Sequence, residues 1–201
     1  DQRWTYRLIP WAYRLLSPFA AGAVAVSSGI AAELRRSLPK SRIRVIYNAV
    51  IDDDFIARSE AEVNHPWFDV SCAIFVTAGR LVRAKDHETM LQAFALHHHR
   101  DHSSRLMILG NGPLHDTLRA RCKELEIAHA VAFLGFRDNP LPYFRQADCY
   151  VLSSASEGFG NVLVEALGCG TPVIATDCPH GPAGRCQVGG LRLKWHPRWH
   201  D

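Results

Sequence analysis

The chain has 201 residues, 47% of them hydrophobic and 21% charged, a composition that supports a packed core and excludes a disordered chain. Its formal net charge of +3 is small and dispersed, so it does not favour nucleic-acid binding, which usually requires a clustered basic face. No apolar run approaches the roughly 20 residues that span a bilayer, and the N-terminus lacks a signal-peptide pattern. We therefore expect a cytoplasmic protein.

Residues 1–56 predict a short α/β piece. The stretch GAVAVSSGIAAELRRSLP followed by RIRVIYNAV reads as a strand, a serine-capped helix and a second strand, too few strands to close a sheet. We interpret it as the remnant of an N-terminal acceptor domain. The basic and aromatic residues 3–16 could lie on a membrane surface, which would make the protein peripheral on its inner face. An amphipathic helix packed on the rest of that domain is the interpretation we prefer.

Residues 57–70 predict a linker, because the surrounding stretch IDDDFIARSEAEVNHPWFD is polar, contains a proline and has no hydrophobic period.

Residues 71–184 predict a doubly wound α/β domain with a parallel sheet. Its apolar stretches are rich in Val, Ile and Phe, as in strands that are covered on both faces. They are CAIFVTAG, RLMILG, AVAFLG, DCYVLSS and TPVIATD, and they alternate with helix-like stretches, the last of which opens near Gly160. Ligands in such folds bind beyond the carboxyl ends of the strands, so the turns there are the candidate sites.

The first candidate turn follows AIFVTAG, where Gly79 leads into Arg80 and Lys85 before a helix that begins near Asp86. A guanidinium that grips two oxygens, an ammonium and the free N–H groups of a helix N-terminus together suit a diphosphate.

The second candidate turn follows DCYVLSS. Gly158 and Gly160 allow a ligand to approach the backbone, and a helix begins near Asn161. The flanking carboxylates, Glu157 and Glu165, repel phosphate but accept hydrogen bonds from vicinal hydroxyls. The two turns together therefore predict a site for a nucleotide sugar, in which a diphosphate joins two sugar rings.

These residues resemble a known family. GRLVRAKD, LGNGPL and the run from FLGFRDNPLPYFRQADCYVLSS through SEGFGNVLVEALGCGTPVIATDCPHGP are similar to the retaining, two-domain (GT-B) glycosyltransferases of family 4, between about Ala23 and Pro182. The hallmark of that family is two glutamates separated by seven residues, as Glu157 and Glu165 are.

The resemblance implies a role for each matching residue. Glu157 would contact hydroxyls of the donor sugar, Glu165 would hold the ribose, and Arg80 and Lys85 would neutralise the departing diphosphate. Asn48 matches an asparagine at the end of the family's first domain. The remaining donor-binding positions implied are Gly79, Phe136, Arg137, Gly158, Phe159, Gly160, Asn161 and Val162, with Phe136 and Arg137 near the base.

The resemblance also implies the partners and the reaction. The donor would be a nucleoside diphosphate sugar, with uridine as the expected base, and a hexosyl group would pass with retention to an acceptor in cell-surface polysaccharide or glycolipid synthesis. We expect no cofactor and no metal.

Both ends of the chain depart from the family pattern. Most of the first domain has no counterpart, and after Ala183 the sequence becomes basic, with tryptophans among prolines and histidines in a divergent tail over residues 185–201. We therefore expect a fragment that binds a donor without being active alone. Two other hypotheses stay open: a nucleotide-sugar epimerase of the same architecture, and a non-catalytic nucleotide-binding remnant.

Other motifs fail on spacing. LGNGPLH places His115 where a dinucleotide fingerprint requires glycine, no GK pair exists for a P-loop, and HETML ends in Leu91 where a zinc protease has histidine. We interpret His98 and His102, four residues apart, as solvated residues at a helix end. The six cysteines form no CxxC pair and are expected to be buried, reduced thiols.

Overall fold

A computed structural model describes Trp11, residues 15–38 and residues 41–178. The predicted divergent tail and most of the basic, aromatic N-terminal stretch lie outside these residues.

The described residues form two parallel sheets. A small sheet pairs β1 (Ala23–Ala25) with β2 (Ile43–Val45). The larger sheet has five strands in the order β5-β4-β3-β6-β7, and every neighbouring pair is parallel. Its strands are β3 (Ile74–Ala78), β4 (Arg105–Leu109), β5 (Val131–Gly135), β6 (Cys149–Leu152) and β7 (Val173–Ala175).

Within the described residues from 28 onward, six helices accompany these strands. They are α1 (Ser28–Ser37), α2 (Phe55–Ser59), α3 (His87–His98), α4 (His115–Glu124), α5 (Leu141–Gln146) and α6 (Asn161–Gly168). Helix α1 begins where its sequence predicts, because Ser27 accepts a hydrogen bond from the Ile30 amide at the N-cap. Short 3₁₀ turns occupy Pro66–Asp69 and Arg83–Lys85.

The large sheet has a core on each of its faces. Along β4, Leu106 and Ile108 pack on one face with α3 and α4, whereas Met107 and Leu109 pack on the other with α5 and α6. All four side chains are at most 2% exposed. Helices on both faces of a parallel sheet confirm the predicted doubly wound α/β fold.

The strand order places the candidate site. The chain runs outward from β3 through β4 to β5, then returns to lay β6 beside β3 and continues to β7. The turns after β3 and β6 therefore leave the sheet in opposite directions, and a crevice opens between them at the carboxyl ends.

Tyr150 holds the two strands together where this crevice starts. Paired residues of β3 and β6 run only from Phe75 with Cys149 to Val76 with Tyr150. Beyond that point the Tyr150 hydroxyl accepts from the Ala78 amide and donates to the Ala78 carbonyl, both at 3.1 Å. Tyr150 is fully buried, so it satisfies the backbone of Ala78 where the ladder ends.

The segment predicted as a linker, residues 57–70, is partly folded onto the second domain. Helix α2 overlaps its start and packs against α5. Phe55 is 1% exposed and belongs to the core on the α5 and α6 face. Arg145 of α5 also pairs with Glu60 at 3.0 Å. The division of the chain into domains stays a prediction, but its second unit receives contacts from residues before position 71.

The interpretation of His98 as a solvated residue is wrong. Helix α3 ends at His98, which is 2% exposed and stacks on Phe94, while His102 lies beyond the helix and is exposed. Ser104 and His129 lie 3.2 Å from the two ring nitrogens of His98. These partners come from later segments, so the local pattern did not reveal them. Among residues 11, 15–38 and 41–178, no group of three or more His, Cys, Asp or Glu side chains could hold a metal ion.

The cysteines behave as predicted where they are described. Cys72, Cys122, Cys149, Cys169 and Cys178 are free thiols, and all but Cys72 are buried. Within the described part of the chain, no helix is long and apolar enough to cross a membrane.

Candidate active site

The turn after β3 is fixed by two glycines from the turn after β4. A Cβ at Gly110 would lie 2.0 Å from the Gly79 carbonyl oxygen, and one at Gly112 would lie 2.4 Å from that of Leu81. Gly110 also has a φ of +128°, which favours glycine. This contact lets the Gly79 amide donate to Leu109 and the Leu81 amide donate to Asn111. The LGNGPL motif therefore positions the backbone on either side of Arg80.

Arg80 and Lys85 leave this turn in different environments. The Arg80 side chain is exposed and forms no ion pair with the described residues. Lys85 ends the 3₁₀ turn before α3. Asp86 then adopts a left-handed φ of 44° and caps α3, accepting hydrogen bonds from the Thr89 amide at 3.4 Å and the Thr89 hydroxyl at 2.8 Å. Lys85 thus lies beside the positive end of a 12-residue helix.

The turn after β6 brings Glu157 onto Lys85. Lys85 Nζ donates to Glu157 Oε1 at 2.5 Å, and the Ser154 hydroxyl donates to the same oxygen at 2.6 Å. The side chains of Lys85 and Glu157 are 24% and 11% exposed. The structure therefore joins two predicted site residues that lie 72 positions apart in the chain.

Two buried serines support this pair. The Ser153 hydroxyl donates to the Lys85 carbonyl at 2.8 Å, and the Ser154 carbonyl accepts from the Thr176 hydroxyl at 2.6 Å. Ser153 is 6% exposed and Ser154 is fully buried. Sequence reasoning missed both serines and Thr176. The available signal was a pair of hydroxyls at the end of an apolar strand, directly before the predicted ligand turn.

The glycine turn leads into α6 as predicted. Gly160 is the N-cap residue with a φ of +78°, and α6 begins at Asn161 with no side-chain cap on its first amides. Gly158 is exposed, whereas Phe159 is half-buried and its ring lies 5.8 Å from that of Tyr47.

Residues of the first segment reach this turn directly. Asn48 Nδ2 donates to Asn161 Oδ1 at 2.8 Å. A Cβ at Gly158 would lie 3.7 Å from Ile30 Cδ1. Tyr47, Asn48 and Ile30 thus border the α6 N-terminus from the side of the small sheet.

Glu165 lies one helical turn after Asn161 on the same side of α6. It is half-buried, and its side chain accepts no hydrogen bond from the described residues. Burial raises its pKa above the ordinary glutamate value, which the Arg58 guanidinium partly opposes. Val162, the neighbouring predicted site residue, packs against the core instead.

Both glutamates keep an oxygen that a ligand can reach. Among the described residues, the buried side-chain polar atoms without a hydrogen-bond partner are His87 Nδ1 and Arg121 Nε. Glu157 Oε2 and the Glu165 carboxylate accept no hydrogen bond from the described residues and are not among these buried atoms. The Glu157 side chain is 11% exposed, and Glu165 is half-buried. Each is an open acceptor at the carboxyl edge of the sheet.

Phe136 and Arg137 follow β5, two strands away from β3. Gly135 turns the chain with a φ of +72°, Phe136 is 66% exposed and Arg137 is exposed. They lie at the same edge of the sheet as the two candidate turns, because β5 is parallel to β3 and β6. Their predicted place near a base stays a prediction.

The arrangement combines exposed or half-exposed cations, two helix N-termini and open carboxylate oxygens at one switch point. The parallel five-stranded sheet matches the fold of solved GT-B glycosyltransferase structures. The chain matches the family Glycosyl transferases group 1 over residues 67–184, and it belongs to that family.

Individual proteins show the same relationship. The chain is 33% identical over 147 residues to N-acetylgalactosamine-N,N'-diacetylbacillosaminyl-diphospho-undecaprenol 4-alpha-N-acetylgalactosaminyltransferase of Campylobacter jejuni, an alignment that covers 72% of this chain and 38% of that protein. It is 31% identical over 137 residues to the lipopolysaccharide core biosynthesis glycosyltransferase LpsE of Rhizobium meliloti, covering 68% and 38%.

A solved structure has the same fold. HepE of Anabaena, in complex with UDP, superposes with a TM-score of 0.69 at 22% identity, covering 84% of this chain and 48% of HepE. The chain thus spans well under half the length of the two curated relatives it matches.

Proposed function

We propose that this chain contains the donor-binding part of a retaining glycosyltransferase that transfers a hexosyl group from a nucleoside diphosphate sugar. The observation that carries the proposal is the Glu157 carboxylate, which Lys85 binds through Oε1 and whose Oε2 accepts no hydrogen bond from the described residues. Arg80 and Glu165 belong to the turn after β3 and the helix after β6, at the same end of the sheet. A diphosphate would be attracted to the cations and helix N-termini, and the hydroxyls of two sugar rings would be accepted by the carboxylates.

Each group has a distinct part in the proposed reaction. Arg80 and Lys85 would stabilise the negative charge that develops on the departing diphosphate, and fixed charges serve this purpose without reorganisation. Glu157 would orient the transferred sugar, and Glu165 would hold the ribose. The acceptor would attack from the face that the diphosphate leaves, within an ion pair, which accounts for retention.

The names of the relatives support a setting in cell-surface polysaccharide or glycolipid synthesis. LpsE acts in lipopolysaccharide core biosynthesis, and the Campylobacter enzyme is named for an undecaprenol-linked acceptor. HepE was solved with UDP, which favours uridine as the base. Membership of a glycosyltransferase family favours transfer over epimerisation. A cytoplasmic location and contact with the inner face of the membrane stay predictions.

The first experiment measures donor binding by the 201-residue chain. Isothermal titration calorimetry with UDP, GDP and a panel of their sugar conjugates should show saturable binding of one base. Glu165→Ala should weaken binding of that nucleoside diphosphate about tenfold, because hydrogen bonds to a charged acceptor are worth about 1.5–3 kcal/mol.

Glu124→Ala is the matched control, since Glu124 is an exposed glutamate at the end of α4 that pairs with Arg121. It should bind as the wild type does. If no nucleoside diphosphate or its sugar conjugates bind the wild-type chain, the proposed function fails. If the nucleotide binds and Glu165→Ala has no effect, the ribose role of Glu165 is wrong.

A further inference from the structure

The Glu157 carboxylate is held from one side only. Its Oε1 accepts from Lys85 Nζ at 2.5 Å and from the Ser154 hydroxyl at 2.6 Å. Its Oε2 accepts no hydrogen bond from the described residues, and the side chain is 11% exposed. Two donors on one oxygen restrict rotation of the carboxylate, and the free oxygen therefore has a defined direction.

The direction of the Ser154 bond follows from its chemistry. An ionised carboxylate only accepts, so the hydroxyl of Ser154 must donate its single hydrogen to Glu157. The length of 2.6 Å is typical of a hydroxyl bound to a charged oxygen. Because Ser154 is fully buried, water does not replace this bond when the hydroxyl is removed.

The backbone around Ser154 is held independently of Glu157. The Ser154 carbonyl accepts from the Thr176 hydroxyl at 2.6 Å, and the Ala155 amide donates to the Ala84 carbonyl at 3.0 Å. The backbone therefore fixes the position of the Ser154 hydroxyl, and the hydrogen bond from that hydroxyl fixes the orientation of the Glu157 carboxylate.

Lys85 completes the arrangement. An ammonium has three donors, and one of them is used on Glu157, which leaves others for phosphate oxygens. A diphosphate bound by the remaining donors of Lys85 would share this positive charge with the carboxylate, which would offset the repulsion between the two anions.

We propose that Ser154 is a positioning residue for sugar recognition: it holds Oε1 of Glu157 so that Oε2 faces a hydroxyl of the transferred sugar. This inference rests on the proposed function and adds that different residues determine the affinity for the sugar and for the nucleoside diphosphate. The Ser154 hydroxyl affects the part of the affinity that comes from the sugar. It does not change the part that comes from the nucleoside diphosphate.

The test compares two ligands on each variant. Calorimetry gives the affinity of the 201-residue chain for UDP and for the UDP-sugar that binds most tightly in a panel of UDP-glucose, UDP-galactose and UDP-N-acetylglucosamine. The affinity for the UDP-sugar divided by the affinity for UDP measures the contribution of the sugar, and this quotient is the ratio used below. Ser154→Ala should lower that ratio about tenfold and should change UDP affinity less than twofold.

Ser104→Ala is the matched control, because Ser104 is also a fully buried serine but lies before β4, at the opposite end of the sheet. It should leave the ratio unchanged, although it loses a comparable buried hydroxyl. Ser154→Thr keeps a hydroxyl and should restore much of the ratio.

A double-mutant cycle separates positioning from general damage. Glu157→Gln should lower the ratio on its own, and adding Ser154→Ala to it should lower the ratio no further, since the hydroxyl acts through the carboxylate. Melting curves of each variant show that the chain is folded at the temperature of measurement.

The outcomes distinguish the two levels of the proposal. A wild-type chain that binds none of UDP, GDP and their sugar conjugates overturns the proposed function together with this inference. One that binds only GDP ligands is tested with GDP and its best sugar conjugate in the same way. A wild-type chain that binds a UDP-sugar overturns the inference alone if Ser154→Ala keeps the ratio, or if Ser154→Ala lowers it equally in the Glu157→Gln background.

Discussion

His87 shows how a single residue beside the site can make the fold sensitive to pH. It follows Lys85 and Asp86 at the start of α3, is 3% exposed, and its Nδ1 has no hydrogen-bond partner among the described residues. Burial lowers its pKa from 6.5 to about 4, and the positive charge of Lys85 acts in the same direction. The imidazole is therefore neutral in the folded protein at neutral pH.

The sign of the effect on stability follows from this pKa. Between pH 6.5 and about 4 the unfolded chain binds a proton on His87 that the folded chain does not. The contribution of the neutral His87 to the free energy of unfolding is therefore complete above pH 6.5. It is lost as the pH falls through that window, by at most about 3 kcal/mol. Unfolding by denaturant at several pH values should show that His87→Leu loses less stability than the wild type between pH 6.5 and pH 4.

The control for this measurement is His99→Asn, since His99 is exposed just beyond the end of α3. Its profile should follow that of the wild type. An identical pH dependence in the wild type and in His87→Leu would mean that His87 does not titrate differently in the folded and unfolded chains.

At the scale of elements, the contact between the turns after β3 and β4 decides where Arg80 stands. A Cβ at Gly112 would meet three backbone atoms of Leu81 at 2.4–2.7 Å, and the backbone of this buried turn residue cannot move aside cheaply. Gly112→Ala should therefore displace the Arg80 turn. We expect a loss of about 1–3 kcal/mol in the free energy of unfolding and weaker binding of UDP.

Ile127→Val provides a destabilised control without a change at the site. Ile127 is fully buried and precedes β5, so its replacement should cost about 0.5–1.5 kcal/mol and leave UDP affinity unchanged. If Gly112→Ala binds UDP as the wild type does, the glycine contact does not position the cation.

The helices and strands also show how much of the fold local sequence patterns can predict. The strands and helices after position 71 follow from apolar runs and amphipathic stretches, because burial on both faces of a sheet requires those patterns. Where a helix start was predicted from the sequence, the structure agrees to within a residue: α3, expected to begin near Asp86, begins at His87. The glycines of LGNGPL were visible in the sequence, but their contact with Gly79 and Leu81 joins two crossover units and depends on strand order.

At the scale of the whole molecule, the second unit extends into residues that the sequence assigned to the N-terminal remnant and to the linker. Phe55 is in its core and α2 lies on α5. A chain that starts at residue 52 should therefore be more stable than one that starts at residue 71, by roughly 3 kcal/mol or more, the usual cost of removing a buried aromatic side chain. Denaturant unfolding of the two fragments measures the difference.

Phe55→Ala in the longer fragment tests whether Phe55 is the cause of the difference in stability. It should account for most of the gap between the two fragments. If both fragments have equal stability, the boundary at position 71 is correct, and the packing of Phe55 contributes little to the second unit.

The sequence by itself determined the doubly wound α/β class, the edge of the sheet that bears the candidate site, and the spacing of Glu157 and Glu165, because these depend on residues that are neighbours in the chain. Tertiary structure alone decided that Lys85 bonds to Glu157, that Ser154 supports it, and that His98 is buried. The physical reason is distance along the chain. The period of the apolar residues in a helix or strand indicates which of its faces is buried. It does not indicate which residues from a distant part of the chain pack on that face.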